Sequence, residues 1–246
     1  IRAFDDNGKV IGSKANEFGK IFINSQTWAV LGRVAEGEYG RKCLDSVYTW
    51  LNSEYGIVKV YPGFNKYDDD MGGITTYPPG AKENGGIFVH TNPWAMVAEA
   101  MEGNGNRAYQ YYRQVLPGRR NQDADLLEVE PYVYCQNILG KEHPHFGVGR
   151  NSWLTGAAAW NLVASSQYIL GIRPGYDCLI VNPCIPSEWG GFRAMRIFRG
   201  ATYHIEVRNP ERVCKGVKKL LVNDVECDKI PVMPQGSSCN VLVIMG

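Results

Sequence analysis

The stretch YPPGAKENGGIFVHTNPW, residues 77–94, decides how the rest of the sequence is divided. It combines prolines, three glycines, a Lys-Glu pair and a histidine, a mixture too irregular for a single helix or strand. It ends with Asn92, a candidate helix cap, and Pro93, a residue type that favours the first helical position, and an apolar segment follows. We therefore predict a long polar loop leading into a helix, and loops of this kind often carry binding and catalytic groups.

Helical periodicity lies on both sides of this loop. Ser25 is a candidate helix cap, and Leu44, Val47, Tyr48 and Leu51 have the spacing of one helical face. The predicted helices lie within residues 23–35, 40–56, 92–105, 106–118 and 155–172. The last of these is the longest and most apolar, and its small residues on several faces predict burial on most sides.

The residues after Pro174 follow a different pattern. Short, β-branched and frequently alternating segments occur there, separated by Asn, Gly and Pro. These segments are residues 178–186, 193–210, 218–227 and 238–246. They predict a small antiparallel β-sandwich. The sequence therefore predicts an α+β multidomain chain, with a helical region in residues 1–174 and a β-domain in residues 175–246, and no low-complexity linker between them.

Composition narrows the classes of function. The net charge of +1 provides no basic face for nucleic acid and no charged patch for a membrane surface. No apolar run reaches the roughly 18 residues that a bilayer-spanning helix needs. The seven cysteines form no C-x-x-C pair and lie mostly in apolar runs, which favours reduced thiols in a cytoplasmic protein.

Two further segments, residues 128–137 and 147–156, are candidate functional loops. Thr155 and Gly156 stand where a helix begins, so unpaired backbone N–H groups and a hydroxyl can donate to a phosphate or carboxylate. Thr155 can equally cap its own helix. His90 can supply a second, cationic donor to the same anion, or it can pack against the helix that follows it.

The remaining candidates also have a structural and a functional interpretation. Lys82 and Glu83 can pair with each other on a solvated turn. Glu130 is either a catalytic carboxylate or, as we prefer, a cap for the segment that it opens. His143 and His145 are separated by a proline and have no third ligand nearby in the sequence, which argues against a metal site.

Several long, ordered motifs resemble the C-terminal part of the cellobiose phosphorylase family, the inverting phosphorylases of β-linked glucosides. The motifs are YPPGAKENGGIFVHTNPW, EPYVYCQNILG, RNSWLTGAAAW, QYILGIRPGYDCLIVNPCIPSEWGGF and FRGATYHIEV. The resemblance covers essentially the whole chain. It implies the later helical hairpins of an (α/α)6 barrel followed by a closing β-domain, in agreement with the division near Pro174.

The resemblance also implies roles for seven residues. The positions that match acceptor-sugar contacts are Tyr77, Lys82 and Glu83. The positions that match phosphate contacts are His90, Gln136, Thr155 and Gly156. In this interpretation Glu83 accepts hydrogen bonds from sugar hydroxyls and is not the general acid.

The general acid of the family, an aspartate in a DWND-like motif, has no match here, and the donor-sugar arginines also belong upstream. We therefore expect no catalytic residue in this chain, which would be part of a longer, homodimeric enzyme. The implied reaction is inverting phosphorolysis of a β-linked glucoside to α-D-glucose 1-phosphate and a shortened sugar. Inorganic phosphate is the cosubstrate, and no organic cofactor or metal is expected. HTNPW and RNSWLTG favour cellobiose or a cellodextrin over cellobionic acid, laminaribiose or chitobiose.

Two alternatives stay open. The first is an inverting, glucoamylase-like hydrolase in which Glu83 or Glu130 acts as the base and sugar is released without phosphate. The second is a non-catalytic carbohydrate-binding fragment, for which the missing aspartate is the supporting feature. The set of anion donors favours the phosphorylase over both.

Overall fold

The computed structural model describes all 246 residues as a mixed α and β protein. The chain forms two compact units. The first unit comprises Ile1–Ala98 and Gln110–Asn161, and the second comprises Glu99–Tyr109 and Leu162–Gly246. The domain boundary at residue 174 and the (α/α)6 barrel stay predictions.

The helices are short. The α-helices are α1 Ile23–Leu31, α2 Glu38–Ser46, α3 Asn92–Met101, α4 Gly105–Val115, α5 Ala124–Leu127 and α6 Ala157–Val163. Two of them continue into π-helical turns, at Val47–Leu51 after α2 and at Ala164–Ile169 after α6. Three 3-10 turns lie at Gly72–Thr76, Val89–Thr91 and Pro117–Asp123. None of the helices has the length and apolar character that a membrane span would need.

The strands form six small sheets. In the first half of the chain they are β1 Ala3–Phe4, β2 Val10–Ile11, β3 Ile21–Phe22, β4 Asn52–Ser53, β5 Gly56–Ile57, β6 Val60–Tyr61 and β7 Ile87–Phe88. In the second half they are β8 Cys135–Ile138, β9 Gly149–Ser152, β10 Ile172–Pro174, β11 Cys178–Val181, β12 Gly191–Phe198, β13 Ala201–Arg208, β14 Lys219–Val222, β15 Val225–Glu226, β16 Ile230–Pro231 and β17 Ser238–Ile244.

The first unit buries its apolar residues in several clusters. Val30 of α1, Leu44 of α2 and Ala98 of α3 share one cluster, which joins three helices. Phe22 of β3, Val60 of β6 and the loop residue Phe64 form the core of another. Leu44 belongs to the helical face predicted from the sequence, and Val47 and Leu51 of the same face are fully buried. Tyr48, the fourth residue of that face, is 40% exposed, so the predicted face is confirmed at three of its four positions.

Two predicted caps are wrong. Ser25 lies within α1, where its hydroxyl donates to the Phe22 carbonyl at 3.2 Å instead of capping the helix. Asn92 is already helical, and its fully buried amide bonds a distant segment instead of its own helix. The Asn92 side chain accepts from the Ile57 N–H at 2.8 Å and donates to the Ile57 carbonyl at 3.2 Å. The partner of Asn92 lies 35 residues away, so local sequence could not indicate it.

The predicted burial of the last helix on most sides is also wrong. Ala158, Ala159 and Leu162 of α6 are exposed, and Leu162 retains 67% of its accessible surface. Ala157 and Asn161 form the buried side of this short helix. Small residues on several faces therefore do not indicate burial in this case.

The second unit contains the longest strands. Its five-stranded sheet has the order β12-β13-β17-β14-β15. The alternation predicted for these strands is confirmed, since Ala201, Tyr203, Ile205 and Val207 of β13 are buried while the residues between them are partly or fully exposed. The prediction of a purely antiparallel arrangement is wrong, because β13 pairs with β17 in parallel. A parallel pair needs a long connection between its strands, which here includes β14 to β16.

Tyr203 connects this sheet to a neighbouring loop. Its ring is fully buried, and its hydroxyl donates to the Pro231 carbonyl at 3.1 Å and accepts from the Met233 N–H at 2.9 Å.

Tyr203→Phe leaves both backbone groups without a partner at nearly constant volume. We expect a loss of about 1 to 3 kcal/mol in the free energy of unfolding, measured by urea denaturation. Tyr176→Phe is the control, since Tyr176 is 96% exposed, and equal stability of the two variants would contradict the role assigned to Tyr203.

Candidate functional site

A three-stranded antiparallel sheet brings together the three segments predicted as functional loops. Strand β8 lies in the centre, with β7 on one side and β9 on the other. Phe88 is opposite Asn137 in one pair, and Cys135 is opposite Ser152 in the other. The prediction that these segments are entirely loops is wrong, since each contributes a strand of two to four residues. The candidate residues lie in or next to these strands.

The loop that precedes β7 is fixed by backbone hydrogen bonds. The Gly80 N–H donates to the Asn84 carbonyl at 2.7 Å, and the Gly86 N–H donates to the Lys82 carbonyl at 3.0 Å. Lys82 has a φ of +46°, in the left-handed region that side-chain-bearing residues seldom adopt. The turn therefore holds the Lys82 side chain in one direction at some cost in backbone strain.

Asn84 connects this turn to two other parts of the unit. Its fully buried amide accepts from the Phe64 N–H at 2.7 Å and donates to the Phe64 carbonyl at 2.8 Å and to the Tyr77 carbonyl at 2.7 Å. A single side chain thus fixes both the beginning of the loop, at Tyr77, and the segment around Phe64.

Lys82 contacts one of the residues predicted to bind phosphate. Its Nζ donates to the Gln136 Oε1 at 3.1 Å and lies 6.0 Å from the centre of the Tyr77 ring. The alternative in which Lys82 pairs with Glu83 is wrong in this structure, because Lys82 is bonded to Gln136 and the Glu83 Oε2 is buried with no hydrogen-bond partner. The structure therefore joins an amino acid predicted to bind sugar to one predicted to bind phosphate, and one carboxylate oxygen of Glu83 has no partner.

Glu83 lines a cavity of about 550 Å³. Tyr77, Met71 and two cationic residues, Arg2 and Lys59, also line it. Burial lowers the pKa of Lys59 below its usual range, while the negative charge of Glu83 acts in the opposite direction. Burial also lowers the pKa of Arg2. The cavity thus has two cationic and two acidic residues in its lining, Asp70 being the second carboxylate, and the Glu83 Oε2 has no hydrogen-bond partner. Neither composition nor motif spacing revealed this combination.

Sequence reasoning missed Lys59. One signal was available, since Lys59 interrupts the apolar run Ile57, Val58 and Val60, and a lysine in such a run has to reach a polar partner or solvent. All three apolar neighbours are fully buried, so the backbone at Lys59 is held firmly.

His90 lies in an aromatic cluster. Its ring centre is 4.9 Å from that of Phe88 and 5.3 Å from that of Trp94, both edge to face. Trp94 in turn contacts Trp28 at 5.5 Å and Trp160 at 6.1 Å. Trp160 is one turn beyond Gly156 in α6, so the cluster connects His90 to the beginning of that helix.

The surroundings of His90 disfavour its protonated form. Burial lowers the pKa of His90 below its usual range, the positive charge of Lys59 lowers it further, and Glu83 raises it in part. The direction of this pKa shift opposes a cationic His90, and its role as an anion donor stays a prediction. A neutral imidazole still donates one N–H to a bound anion.

The hydroxyl of Thr155 accepts from the Ala157 N–H at 3.1 Å, so Thr155 caps α6, as one interpretation of the sequence predicted. Its own O–H proton stays free for donation to a ligand. Gly156 is exposed, and no atom lies within 4 Å of the position that a Cβ would occupy. Space for a ligand therefore remains at Gly156.

The other candidates have structural partners. Glu130 accepts from the Trp153 indole N–H at 3.1 Å instead of serving as the predicted cap, and hydrogen bonds to its own backbone, Ser152 and Trp153 lower the pKa of its carboxyl. His143 and His145 lie side by side, with ring centres 5.7 Å apart. Among residues 1–246, no group of three or more His, Cys, Asp or Glu side chains is arranged to hold a metal ion.

The sequence of the chain matches a known class of protein. The chain matches the sequence profile of the glycosyl hydrolase 94 superfamily, catalytic domain, over residues 1–171, and it belongs to that superfamily. The resemblance to the cellobiose phosphorylase family, predicted from the motifs, is thereby confirmed.

Three relatives carry names that specify an activity. The N,N'-diacetylchitobiose phosphorylase of Vibrio furnissii is 44% identical over the whole chain, which covers 31% of that protein. The solabiose phosphorylase of Paenibacillus borealis is 36% identical over the whole chain, which covers 32% of it. The cellobionic acid phosphorylase of Neurospora crassa is 30% identical over 84% of the chain and is covered to 27%. The chain thus spans about a third of the length of these relatives.

Among solved structures, the family GH92 alpha-mannosidase of Bacteroides thetaiotaomicron aligns with 92% of this chain and 23% of its own, with 14% sequence identity and a TM-score of 0.30.

Asn84→Ala tests how the candidate loop is held in place. The change removes three hydrogen bonds to buried backbone groups, so we expect the free energy of unfolding to fall by about 2 to 4 kcal/mol in a urea titration. Asn65→Ala is the matched control, since Asn65 is exposed, and it is expected to stay within about 0.5 kcal/mol of the unmodified protein. A loss that is no larger for Asn84→Ala than for Asn65→Ala would refute the proposed anchoring.

Proposed function

We propose that this chain takes part in inverting phosphorolysis of a β-linked disaccharide or oligosaccharide, yielding an α-sugar 1-phosphate and a shortened sugar. The observation that carries the proposal is the contact between Lys82 and Gln136, which joins the predicted acceptor-sugar loop to the predicted phosphate donors. Membership of the superfamily and the names of the relatives support it. The chain would provide the phosphate and acceptor-sugar half of an active site within an (α/α)6 barrel.

In this reaction a phosphate oxygen attacks the anomeric carbon as the glycosidic bond breaks, and the leaving oxygen takes a proton from a carboxylic acid. Phosphate is already an anionic nucleophile, so no base is required, and a carboxylate beside it would repel it. The requirement is a set of neutral or cationic donors that hold the anion in line. His90, Gln136, Thr155 and Gly156 meet this requirement, while the general acid is expected from residues that this sequence does not contain.

The acceptor sugar would occupy the cavity beside Tyr77, Lys82 and Glu83. Tyr77 is 37% exposed and presents a ring on which a sugar can stack, and Glu83 has a carboxylate oxygen without a protein partner. The motifs favoured cellobiose or a cellodextrin, with α-D-glucose 1-phosphate as the product. The relative with 44% identity is named for N,N'-diacetylchitobiose, so that sugar is the first candidate and cellobiose the second.

The remaining expectations belong to the same proposal. Inorganic phosphate is the cosubstrate, without an organic cofactor or a metal, and the enzyme acts as a homodimer together with its upstream domains. A cytoplasmic location is supported by seven free cysteines. Nucleic acid and membrane surfaces are not proposed as partners, given the net charge of +1.

The first test is product formation from N,N'-diacetylchitobiose, cellobiose and cellotriose, each with and without inorganic phosphate. Phosphate-dependent formation of a sugar 1-phosphate supports phosphorolysis, and the preferred sugar identifies the substrate. Free sugar released equally without phosphate would favour the glucoamylase-like hydrolase. If no product forms, titration calorimetry with inorganic phosphate decides, and absence of phosphate binding would leave only the carbohydrate-binding alternative.

His90→Ala tests the phosphate assignment. Because the change removes an anion donor and leaves the cavity beside Glu83 intact, we expect phosphate affinity to fall at least tenfold, about 1.4 kcal/mol, while sugar affinity changes little. The control is His204→Ala, which removes an exposed imidazole of β13. An equal loss of phosphate and sugar binding would show that His90 has only a structural role.

A further inference from the structure

Lys59 is the charged residue of the buried apolar segment 57–60 in the first unit, and it lines the same cavity as Glu83. Its N–H donates to the Gly86 carbonyl at 2.9 Å, and its carbonyl accepts from the Ile23 N–H at 3.1 Å. The backbone of Lys59 is therefore bonded to the end of the candidate loop and to the beginning of α1. Its position relative to the loop is fixed by these bonds.

The Lys59 side chain reaches the same aromatic ring as His90. Its Nζ lies 4.8 Å from the centre of the Phe88 ring, and the His90 ring lies 4.9 Å from the same centre. A cation near an aromatic face is stabilised by the ring quadrupole, more strongly where water is partly excluded. Phe88 thus contacts both the Lys59 ammonium group and the ring of His90, the histidine predicted to bind phosphate.

The same charge acts on Glu83. Lys59 and Glu83 both line the cavity, and they attract each other without a direct salt bridge. The Glu83 Oε2 is buried and unpaired, a costly arrangement unless a nearby positive group offsets it. Arg2 is the other cation that lines this cavity, and its positive charge lowers the pKa of Lys59.

We propose that Lys59 is a positioning residue of the site: from its place on the Phe88 ring it brings positive charge to the cavity that Glu83 lines and close to His90. The charge of Lys59 then acts both on Glu83, in the acceptor-sugar half of the site, and on His90, in the phosphate half. This inference rests on the proposed function for the roles of Glu83 and His90. Its direct consequence, the dependence of His90 on the charge of Lys59, can be measured without turnover.

The test is an NMR titration of the His90 imidazole in phosphate-free buffer, with the signal assigned by comparison with His90→Asn. Lys59→Met removes a charge that opposes protonation, so the pKa of His90 is expected to rise. Glu83→Gln removes a charge that favours protonation, so the pKa of His90 is expected to fall. Lys59→Arg keeps the positive charge on the Phe88 ring and is expected to restore the behaviour of the unmodified protein.

Lys141→Met is the matched control. Lys141 is also partly buried and lies 3.9 Å from an aromatic ring, that of Tyr61, but it acts on Glu142 and not on His90. An unchanged His90 pKa in Lys59→Met, or an equal rise in Lys141→Met, would overturn the proposal. If Lys59→Met does not fold, the neutral variant Lys59→Gln takes its place, and an unchanged His90 pKa in that variant overturns the proposal.

Failure of this proposal is distinguishable from failure of the proposed function. Addition of inorganic phosphate to the unmodified protein is expected to shift the His90 signal, because the anion binds there. A missing response to phosphate would count against phosphorolysis, whereas the Lys59 and Glu83 variants report on the electrostatic coupling in either case.

Discussion

Close backbone packing around residues 80–86 is the constraint on which the candidate site depends. The Gly140 N–H donates to the Gly80 carbonyl at 2.7 Å, and a Cβ on Gly140 would lie only 2.0 Å from the Gly85 carbonyl oxygen. A Cβ on Gly86 would lie 2.6 Å from the Lys82 backbone. Any side chain at these positions would push the loop away from β8. The distance between Lys82 and Gln136, and so the union of the two halves of the site, follows from this packing.

The candidate site contains polar groups that are not needed to stabilise the fold. A stable core pairs its buried polar atoms, yet the Glu83 Oε2 has no partner and His90 is surrounded by aromatic rings. Lys59 and Glu83 are both partly buried and act on His90 with opposite sign. Unpaired polar atoms and opposing charges gathered at one cavity are typical of binding sites, because a ligand supplies the missing partners.

The sequence was sufficient where structure is set by neighbours along the chain. Asn-Gly is a dipeptide typical of hairpin turns, and Asn7-Gly8 lies between β1 and β2, where Phe4 pairs with Val10. Leu44 and Leu51 are buried as their helical spacing predicts. It was insufficient where distant groups compete. Asn92 has the residue type of a cap, but buried backbone groups at Ile57 bind its amide instead. Strands β7 to β9 are too short for a period to be detected, and the parallel pairing of β13 with β17 depends on topology. The seven site residues came from motif resemblance, and Lys59 was missed because its role arises only from contacts in three dimensions.

The distinction between a phosphorylase and a hydrolase depends on which carboxylate can face the anomeric carbon. A hydrolase needs a carboxylate base that holds water. Glu130 accepts from the Trp153 indole through one oxygen, and its Oε2 is buried with no hydrogen-bond partner. Glu83 is the other candidate, but it lies beside Tyr77 in a cavity that also contains Arg2 and Lys59, an arrangement suited to a ligand with several hydroxyls. His90 lies next to β7 and Gln136 lies within β8, and each of them can donate a hydrogen bond to an anion. Under the proposed function, phosphate supplies its own negative charge and therefore needs no carboxylate base beside it.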